Sequence, residues 1–79
     1  MVMAFVLIRV GTGEHMGFEK LVKEKIEKIE GVKKVYRVFG RYDLVAHVEK
    51  ATLDALSSIT DKTRAIEGVL STESLIIHS

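Results

Sequence analysis

One stretch near the middle of the chain decides the fold, and it runs Val35-Tyr-Arg-Val-Phe-Gly-Arg-Tyr-Asp-Leu-Val-Ala-His-Val48. Two runs rich in β-branched and aromatic residues, which favour strands, flank a short segment that opens with Gly40 and closes with Asp43. Gly40 can adopt a positive φ at little steric cost, and the Asp43 carboxylate can accept hydrogen bonds from nearby backbone amides. The stretch therefore predicts a β-hairpin.

The hairpin loop admits two interpretations. Turn formation alone accounts for Gly40 and Asp43. A carboxylate at the end of a strand, beside exposed glycine amides and the ring of Tyr42, also suits a small zwitterion. The ligand ammonium would contact Asp43, and the ligand carboxylate would contact backbone N–H groups. The loop residues by themselves leave both interpretations open.

Upstream of the hairpin, the sequence predicts a strand and then a helix. The stretch from Met1 to Val10 is nearly all apolar, with Arg9 as its first charge, so we expect a strand that is buried on both faces. Gly31 is the predicted end of the helix. The apolar residues that recur at helical spacing before it are Phe18, Leu21, Val22, Ile26 and Ile29.

Downstream of Gly31, the sequence predicts three strands and a second helix. The hairpin strands are Val32 to Phe39 and Leu44 to Glu49, and the last strand is Val69 to Ile77. Thr52 is the predicted N-cap of the second helix, and Gly68 is its predicted end. The apolar stripe of this helix consists of Leu53, Leu56, Ile59 and Ile66.

A short internal repeat supports this order of elements. Ile-Glu-Gly-Val occurs at Ile29 to Val32 and again at Ile66 to Val69, as expected if one strand-helix-strand unit is used twice. Two interleaved right-handed crossovers of this kind make a four-stranded antiparallel sheet with both helices on one face. We therefore predict a single α+β domain over residues 1–79, with the ferredoxin-like order βαββαβ.

The predicted sheet has more apolar surface than one helical layer can cover. A chain of 79 residues buries only roughly 60 to 65% of the surface that its unfolded form exposes, and without cysteine it has no disulfide to reinforce a thin core. Large uncovered apolar faces mark protein interfaces. We therefore predict a two-fold homodimer in which two sheets pack face to face, as in dimeric α+β barrels or sandwiches.

Composition limits the other function classes. The net charge of +1, from 12 basic and 11 acidic residues, is too balanced to indicate a nucleic-acid or membrane surface. No apolar run reaches the roughly 18 residues of a membrane span, so we expect a cytoplasmic protein. Asn, Gln, Cys, Pro and Trp are absent while Lys and Glu are plentiful, a bias that indicates a thermophilic source.

Few residue patterns in the chain indicate chemistry. His15, His47 and His78 lack metal-ligand spacing, so we expect no metal or other cofactor, and we expect His47 to be satisfied locally within the sheet. The strand from Leu44 to Glu49 lacks the aromatic residues on which RNA-binding domains of this fold stack bases, which leaves nucleic-acid contact as a remote alternative. Hydroxyls interrupt the last strand, where they either line a wet sheet edge or donate to a ligand carboxylate; they belong to Ser71, Thr72 and Ser74.

Four segments carry a resemblance to a known family. They are Phe5 to Ile8, Gly31-Val32, Val38 to Val45 and Glu67 to Ser74. Together they resemble the effector-binding domain of the Lrp/AsnC family of feast/famine regulators, also called the RAM domain, over essentially the whole chain. The most specific parts are the Gly-x-Tyr-Asp hairpin and the Gly-Val-x-Ser-Thr-x-Ser start of the last strand.

The resemblance implies a ligand and an assembly. The family forms sandwich dimers that assemble further into rings, often octamer-like tetramers of dimers, with an amino acid bound at the contacts between dimers. Ligand-binding roles are thereby implied for Gly40 and Asp43, and Arg41 and Tyr42 become neighbours of the pocket. Ser74 stands where the family usually has Thr, so the hydroxyl is kept and a methyl group is lost.

The resemblance also implies a mode of action. Full-length regulators carry an N-terminal helix-turn-helix domain, whereas Met1 opens almost directly into the first strand, so we expect a stand-alone effector domain that does not itself bind DNA. It would alter its own assembly or co-assemble with full-length Lrp/AsnC regulators. No catalytic residue is predicted. Two alternatives stay open: a small oligomeric enzyme of the dimeric α+β barrel type, and an ACT-like regulatory module.

Overall fold

The computed structural model describes residues 2–11 and 18–77, and it confirms the predicted order βαββαβ. The elements are β1 (Val2–Val10), α1 (Phe18–Glu27), β2 (Val32–Arg37), β3 (Leu44–Lys50), α2 (Leu53–Arg64) and β4 (Val69–Ile77). The predicted hairpin is present, but β2 ends at Arg37 rather than at Phe39, whose side chain is fully exposed. Neither helix is long and apolar enough to cross a membrane, within the residues described.

The four strands form one antiparallel sheet in the order β2-β3-β1-β4, with β1 hydrogen-bonded on both sides. Phe5, for example, lies opposite His47 of β3 and Leu75 of β4. Residues directly opposite each other in antiparallel strands project to the same face of the sheet. The register therefore assigns the paired strand side chains to one of two faces, with irregularities where the pairing shifts near Val10 and Val32.

The first face is covered by both helices and contains the core. Ile8 and Leu44 project from it, and neither has any exposed surface. Burial of an aliphatic side chain contributes about 1.5–3 kcal/mol, so this layer supplies most of the hydrophobic stabilisation. The buried apolar residues are Ala4, Val6, Ile8, Val10, Val22, Ile26, Val35, Leu44, Ala46, Val48, Leu56 and Ile59.

The second face, here called the bare face, has neither α1 nor α2 packed on it. Phe5 and Leu7 of β1 are half-buried there, and Leu75 of β4 is 50% exposed. The prediction that β1 is buried on both faces is therefore wrong for the single protomer, because both helices lie on the opposite side. The remaining residues that the register places on the bare face include Met3, Tyr36, Val45, His47, Glu73 and Ile77.

The start of α2 follows its predicted local signal, whereas the helices end earlier than the predicted Gly31 and Gly68, at Glu27 and Arg64. Thr52 is the N-cap of α2, because its side chain accepts a hydrogen bond from the Ala55 N–H at 3.2 Å. Leu21 and Leu53, predicted on the apolar stripes, are 56% and 48% exposed. Successive helical residues are about 100° apart, and a helix on a flat sheet buries only a narrow stripe. Leu21 precedes buried Val22 by one residue, so its side chain points about 100° away from that of Val22 around the helix axis.

The repeated Ile-Glu-Gly-Val sequence forms the same turn twice. The Val32 N–H donates to the Ile29 carbonyl at 3.1 Å, and the Val69 N–H donates to the Ile66 carbonyl at 3.2 Å. The glycine between them has a φ of 98° at Gly31 and 102° in the second copy. Each copy therefore turns the chain from a helix into the following strand, as the repeat predicts.

Candidate functional site

The loop between β2 and β3 is fastened to the central strand by its backbone. The Val38 N–H donates to the Asp43 carbonyl at 3.0 Å, which closes the loop. The Asp43 N–H donates to the Ile8 carbonyl of β1 at 2.9 Å. The predicted hairpin loop therefore has a defined position at the end of β1.

Asp43 adds a side-chain bond to this connection. Its Oδ2 atom accepts a hydrogen bond from the Val10 N–H at 2.8 Å, beyond the last pair of the β1–β3 ladder, which is Ile8 with Leu44. The side chain is half-buried, and no lysine, arginine or histidine of residues 2–11 and 18–77 forms an ion pair with it. The carboxylate thus has a structural role and keeps a negative charge that no described cation neutralises.

Gly40 and Arg41 form the exposed tip of the loop. The φ of Gly40 is 129°, in a region that residues with a side chain rarely adopt. A Cβ atom at this position would have no atom of residues 2–11 or 18–77 within 4 Å, so among these residues the need for glycine comes from the backbone alone. Within the same ranges, the space beside the loop backbone is open.

Tyr42 links the loop to β4. Its hydroxyl donates a hydrogen bond to Oε2 of Glu73, which lies on the bare face opposite Leu7. This bond, with lesser contributions from partial burial and the negative charge of Glu73, raises the pKa of Tyr42 above its usual value of 10.0, against the opposing charges of Arg41 and Arg9. Glu73 did not emerge from the sequence as a site residue, because only the three-dimensional register brings it to Tyr42.

The three hydroxyls of β4 divide between the two faces of the sheet. Ser71 lies opposite Arg9 on the bare face, whereas Thr72 and Ser74 lie opposite Ile8 and Val6 on the helix-covered face. The seven predicted ligand-binding residues therefore do not form one cluster. The loop residues, here called the hairpin group, are Gly40, Arg41, Tyr42 and Asp43, and they stand apart from the pair that faces α2.

Thr72 and Ser74 interact with α2. The Nε atom of Arg64 donates to Oγ1 of Thr72 at 3.0 Å, and the hydroxyls of Thr60 and Ser74 lie 3.3 Å apart within hydrogen-bonding distance. Sequence patterns did not indicate Thr60 or Arg64. Their helical spacing marks them only as polar surface, and their contacts form only when α2 packs beside β4.

His47 differs from its prediction. It stacks on Phe5 with ring centroids 5.2 Å apart, and its buried Nε2 atom has no hydrogen-bond partner in the described part of the chain, so the expected local satisfaction is wrong. The Oε2 atom of Glu49 lies 3.6 Å from this nitrogen.

His15 and His78 lie outside the described residues. Within those residues, no group of three or more histidine or acidic side chains could hold a metal ion.

The family model described as "Lrp/AsnC ligand binding domain" matches residues 3–79. The chain belongs to the Lrp/AsnC family. The resemblance in the hairpin and in the last strand is thereby confirmed, and the chain is similar to ligand-binding domains of regulators.

Individual proteins are similar to this chain over most of its length. The HTH-type transcriptional regulator LysM of Sulfurisphaera tokodaii is 38% identical over 56 residues, which are 71% of this chain and 40% of that protein. A crystal structure from Thermus thermophilus shares 35% identity with a TM-score of 0.89, and the alignment covers 100% of this chain and 95% of that one.

A more distant structure shares the Lrp/AsnC fold. It is a transcriptional regulator of Neisseria meningitidis solved as a complex with L-Met, with 15% identity and a TM-score of 0.80 over 99% of this chain and 50% of that one. This chain therefore spans about half the length, or less, of the named regulators that it matches.

Replacement of Gly40 tests the backbone of the loop. We expect Gly40→Ala to lower the free energy of unfolding by about 1–3 kcal/mol, the usual cost of a side chain held in such a conformation. Urea denaturation measures the change. Gly11→Ala is the matched control, because its Cβ would make ordinary contacts at 3.6–3.7 Å without a positive φ. Equal destabilisation by both changes would contradict this account.

The Tyr42–Glu73 bond makes a prediction about pH. The folded pKa of Tyr42 lies above the unfolded value, so the bond's stabilisation is complete below pH 10.0 and is lost as pH rises through the folded pKa. Ultraviolet titration of tyrosinate measures the pKa of the folded protein's tyrosines. In the Tyr42→Phe variant only Tyr36 is left to titrate. We expect the difference between the two curves to have its midpoint above 10.0, and Glu73→Gln to lower that midpoint. A midpoint at or below 10.0 in the wild type would disprove the bond.

Proposed function

We propose that this protein is a non-enzymatic effector module of the Lrp/AsnC family that binds a small amino acid beside the hairpin group. The observation that carries the proposal is Asp43: a half-buried carboxylate, held by the Val10 N–H at 2.8 Å, without a cationic partner among the described side chains. A charge held in place in this way suits the ammonium group of an amino acid.

The surroundings of Asp43 support the same ligand class. The open space beside Gly40 leaves the loop backbone accessible to a ligand carboxylate, which backbone N–H groups can bind. Arg41 adds a positive charge at the exposed tip of the loop. The L-Met complex of the Neisseria regulator shows an amino acid bound to a protein of this fold, and we extend that ligand class to this chain.

Assembly is the second part of the proposal. The bare face carries half-buried Phe5 and Leu7 beside exposed Leu75, and such a surface is typical of a protein interface. We infer that two protomers pack these faces together as a two-fold dimer, and that the hairpin groups lie where dimers meet in a higher, octamer-like ring. A ligand at that contact can change the assembly only if it binds one assembled state more tightly than another.

Regulation would follow from co-assembly. The LysM relative is more than twice as long as the matched region, and it is a transcriptional regulator of the HTH type. We infer that this module works in the cytoplasm without contacting DNA itself. It would change its own assembly, or join a full-length regulator of the family and alter that protein's affinity for DNA.

Removal of the Asp43 charge tests ligand binding. We expect Asp43→Asn to weaken amino-acid binding about ten- to a hundredfold, because a hydrogen bond to a charged group contributes about 1.5–3 kcal/mol. Asparagine keeps an oxygen for the Val10 N–H, so the fold and the dimer should persist. Calorimetry with the twenty amino acids, together with light scattering, measures both properties.

The control for this experiment is Asp54→Asn, which removes one negative charge from the exposed first turn of α2. It should bind like the wild type. If none of the twenty amino acids produces heat or a change of mass with the wild-type protein, the proposed sensor function is wrong.

A pair of adjacent substitutions tests the dimer. We expect Leu75→Glu to convert the dimer to a monomer, because it places a charge on the bare face. Ile76→Glu places the same charge on the other face of the same strand, at a residue of similar exposure (44% against 50%), and should leave the dimer intact. Light scattering measures whether each variant has the mass of a monomer or of a dimer. A dimer in both variants would assign the interface to another surface.

A further inference from the structure

A cleft of about 220 Å³ lies between α2 and the sheet, on the helix-covered face and away from the hairpin group. The register explains the opening: Ser74 of edge strand β4 lies opposite Val6, and small Ala4 lies opposite Ile76. The side chains of Ser74 and Ala4 are too short to fill the space beneath α2. The cleft is lined by Ala4, Val6, Val48, Leu56, Ser57, Thr60, Asp61, Arg64, Ser74 and Ile76.

The lining separates into an apolar floor and a polar wall. Val6, Val48 and Leu56 belong to the buried core, and they offer aliphatic surface to whatever enters. On the other side, the hydroxyls of Thr60 and Ser74 lie 3.3 Å apart. The Thr60 hydroxyl donates to the Leu56 carbonyl at 3.3 Å, so Ser74 is the hydroxyl that can donate to a ligand. Such a combination of apolar surface with a few convergent polar groups is the usual character of a small-molecule site.

Arg64 gives the cleft its charge. Its Nε atom donates to Thr72 at 3.0 Å, which orients the guanidinium and leaves its two terminal nitrogens available. Asp61 lines the same cleft one helical turn earlier, but Arg64 forms no ion pair with it or with any other carboxylate in the described ranges. A guanidinium held by one neutral partner is suited to a ligand carboxylate, which it binds through two parallel hydrogen bonds.

We propose that this cleft binds a small aliphatic carboxylate, with Arg64 holding the carboxylate, Ser74 donating to it, and the apolar floor receiving the hydrocarbon tail. The volume is below the roughly 300–1,000 Å³ of sites for drug-sized molecules, so the ligand has the size of a branched-chain amino acid or the acid without its amine. Asp61 is placed to bind an α-ammonium group when one is present. The site lies within one protomer and does not depend on the proposed hairpin site.

Three probes separate the parts of the ligand. Calorimetry and amide NMR of the 79-residue protein are performed with 4-methylpentanoate, with L-leucine, and with 3-methylbutylamine, which carries the same tail without a carboxylate. We expect saturable shifts at Thr60, Arg64 and Ser74 with the two carboxylates and none with the amine. Tighter binding of L-leucine than of 4-methylpentanoate, abolished in Asp61→Asn, would identify an amino acid as the ligand. Equal binding would identify the simple acid.

Variants locate the binding in the cleft. We expect Arg64→Gln to weaken 4-methylpentanoate at least tenfold, while Lys62→Gln, which removes the same charge from the same helix outside the cleft, leaves it unchanged. Ser74→Val should fill the space and abolish binding while thermal unfolding stays cooperative. Saturable binding by neither acid, an equal loss in Lys62→Gln, or full binding by Ser74→Val would overturn the proposal. Asp43→Asn should not affect these probes, so failure at the hairpin and failure at the cleft are distinguishable.

Discussion

The structure depends on β1, the strand that pairs with both β3 and β4 at the centre of the sheet. Its side chains alternate between two environments: Val6 and Ile8 are buried beneath the helices, while Phe5 and Leu7 project to the bare face. A shift of one residue in its register would exchange the two sets. The core selects one register, because the side chains of Ile8 and Leu44 fit under the helices with no exposed surface. The core does not explain the apolar character of the opposite face, and the proposed contact with another protomer would account for it.

The end of β1 is where the fold and the candidate ligand site meet. The β1–β3 ladder ends at Ile8 with Leu44, and Asp43 extends the connection by bonding to Ile8 through its backbone and to Val10 through its side chain. The same carboxylate is the proposed ammonium ligand. Replacement of Asp43 by alanine would remove the charge and also leave the Val10 N–H unpaired. Replacement by asparagine removes the charge but keeps an oxygen that accepts the Val10 hydrogen bond, so it tests the charge alone.

Local signals allowed much of the fold to be predicted. The N-cap at Thr52, the two turns of the Ile-Glu-Gly-Val repeat and the bounds of β4 all depend on neighbouring residues, and the structure has them as predicted. Leu21 was placed in the core wrongly, because apolar spacing cannot show how narrow a stripe the sheet covers. The strand β2 was predicted too long, since Val38 and Phe39 have strand-forming side chains but belong to the closing loop.

The candidate site was less predictable, because it depends on how separate helices, strands and loops pack together. The motif in β4 drew attention to Ser71, Thr72 and Ser74 as one row of hydroxyls, yet strand alternation places Ser71 on the opposite face from the other two. Their partners, Arg64 and Thr60, come from α2 and carry no motif of their own. Glu73 meets Tyr42 only through the sheet register.

Because side chains alternate along β4, its two faces contact different parts of the proposed assembly. Glu73, Leu75 and Ile77 project to the proposed dimer face, while Thr72, Ser74 and Ile76 project toward α2 and the cleft. Ligand in the cleft and a partner on the bare face would therefore contact the same nine-residue strand from opposite sides. Because β4 is an edge strand that pairs with β1 and packs against α2, any displacement of α2 on ligand binding acts on the strand that borders the interface. Coupling between the two sites would then require only that the ligand favour one position of β4 over another.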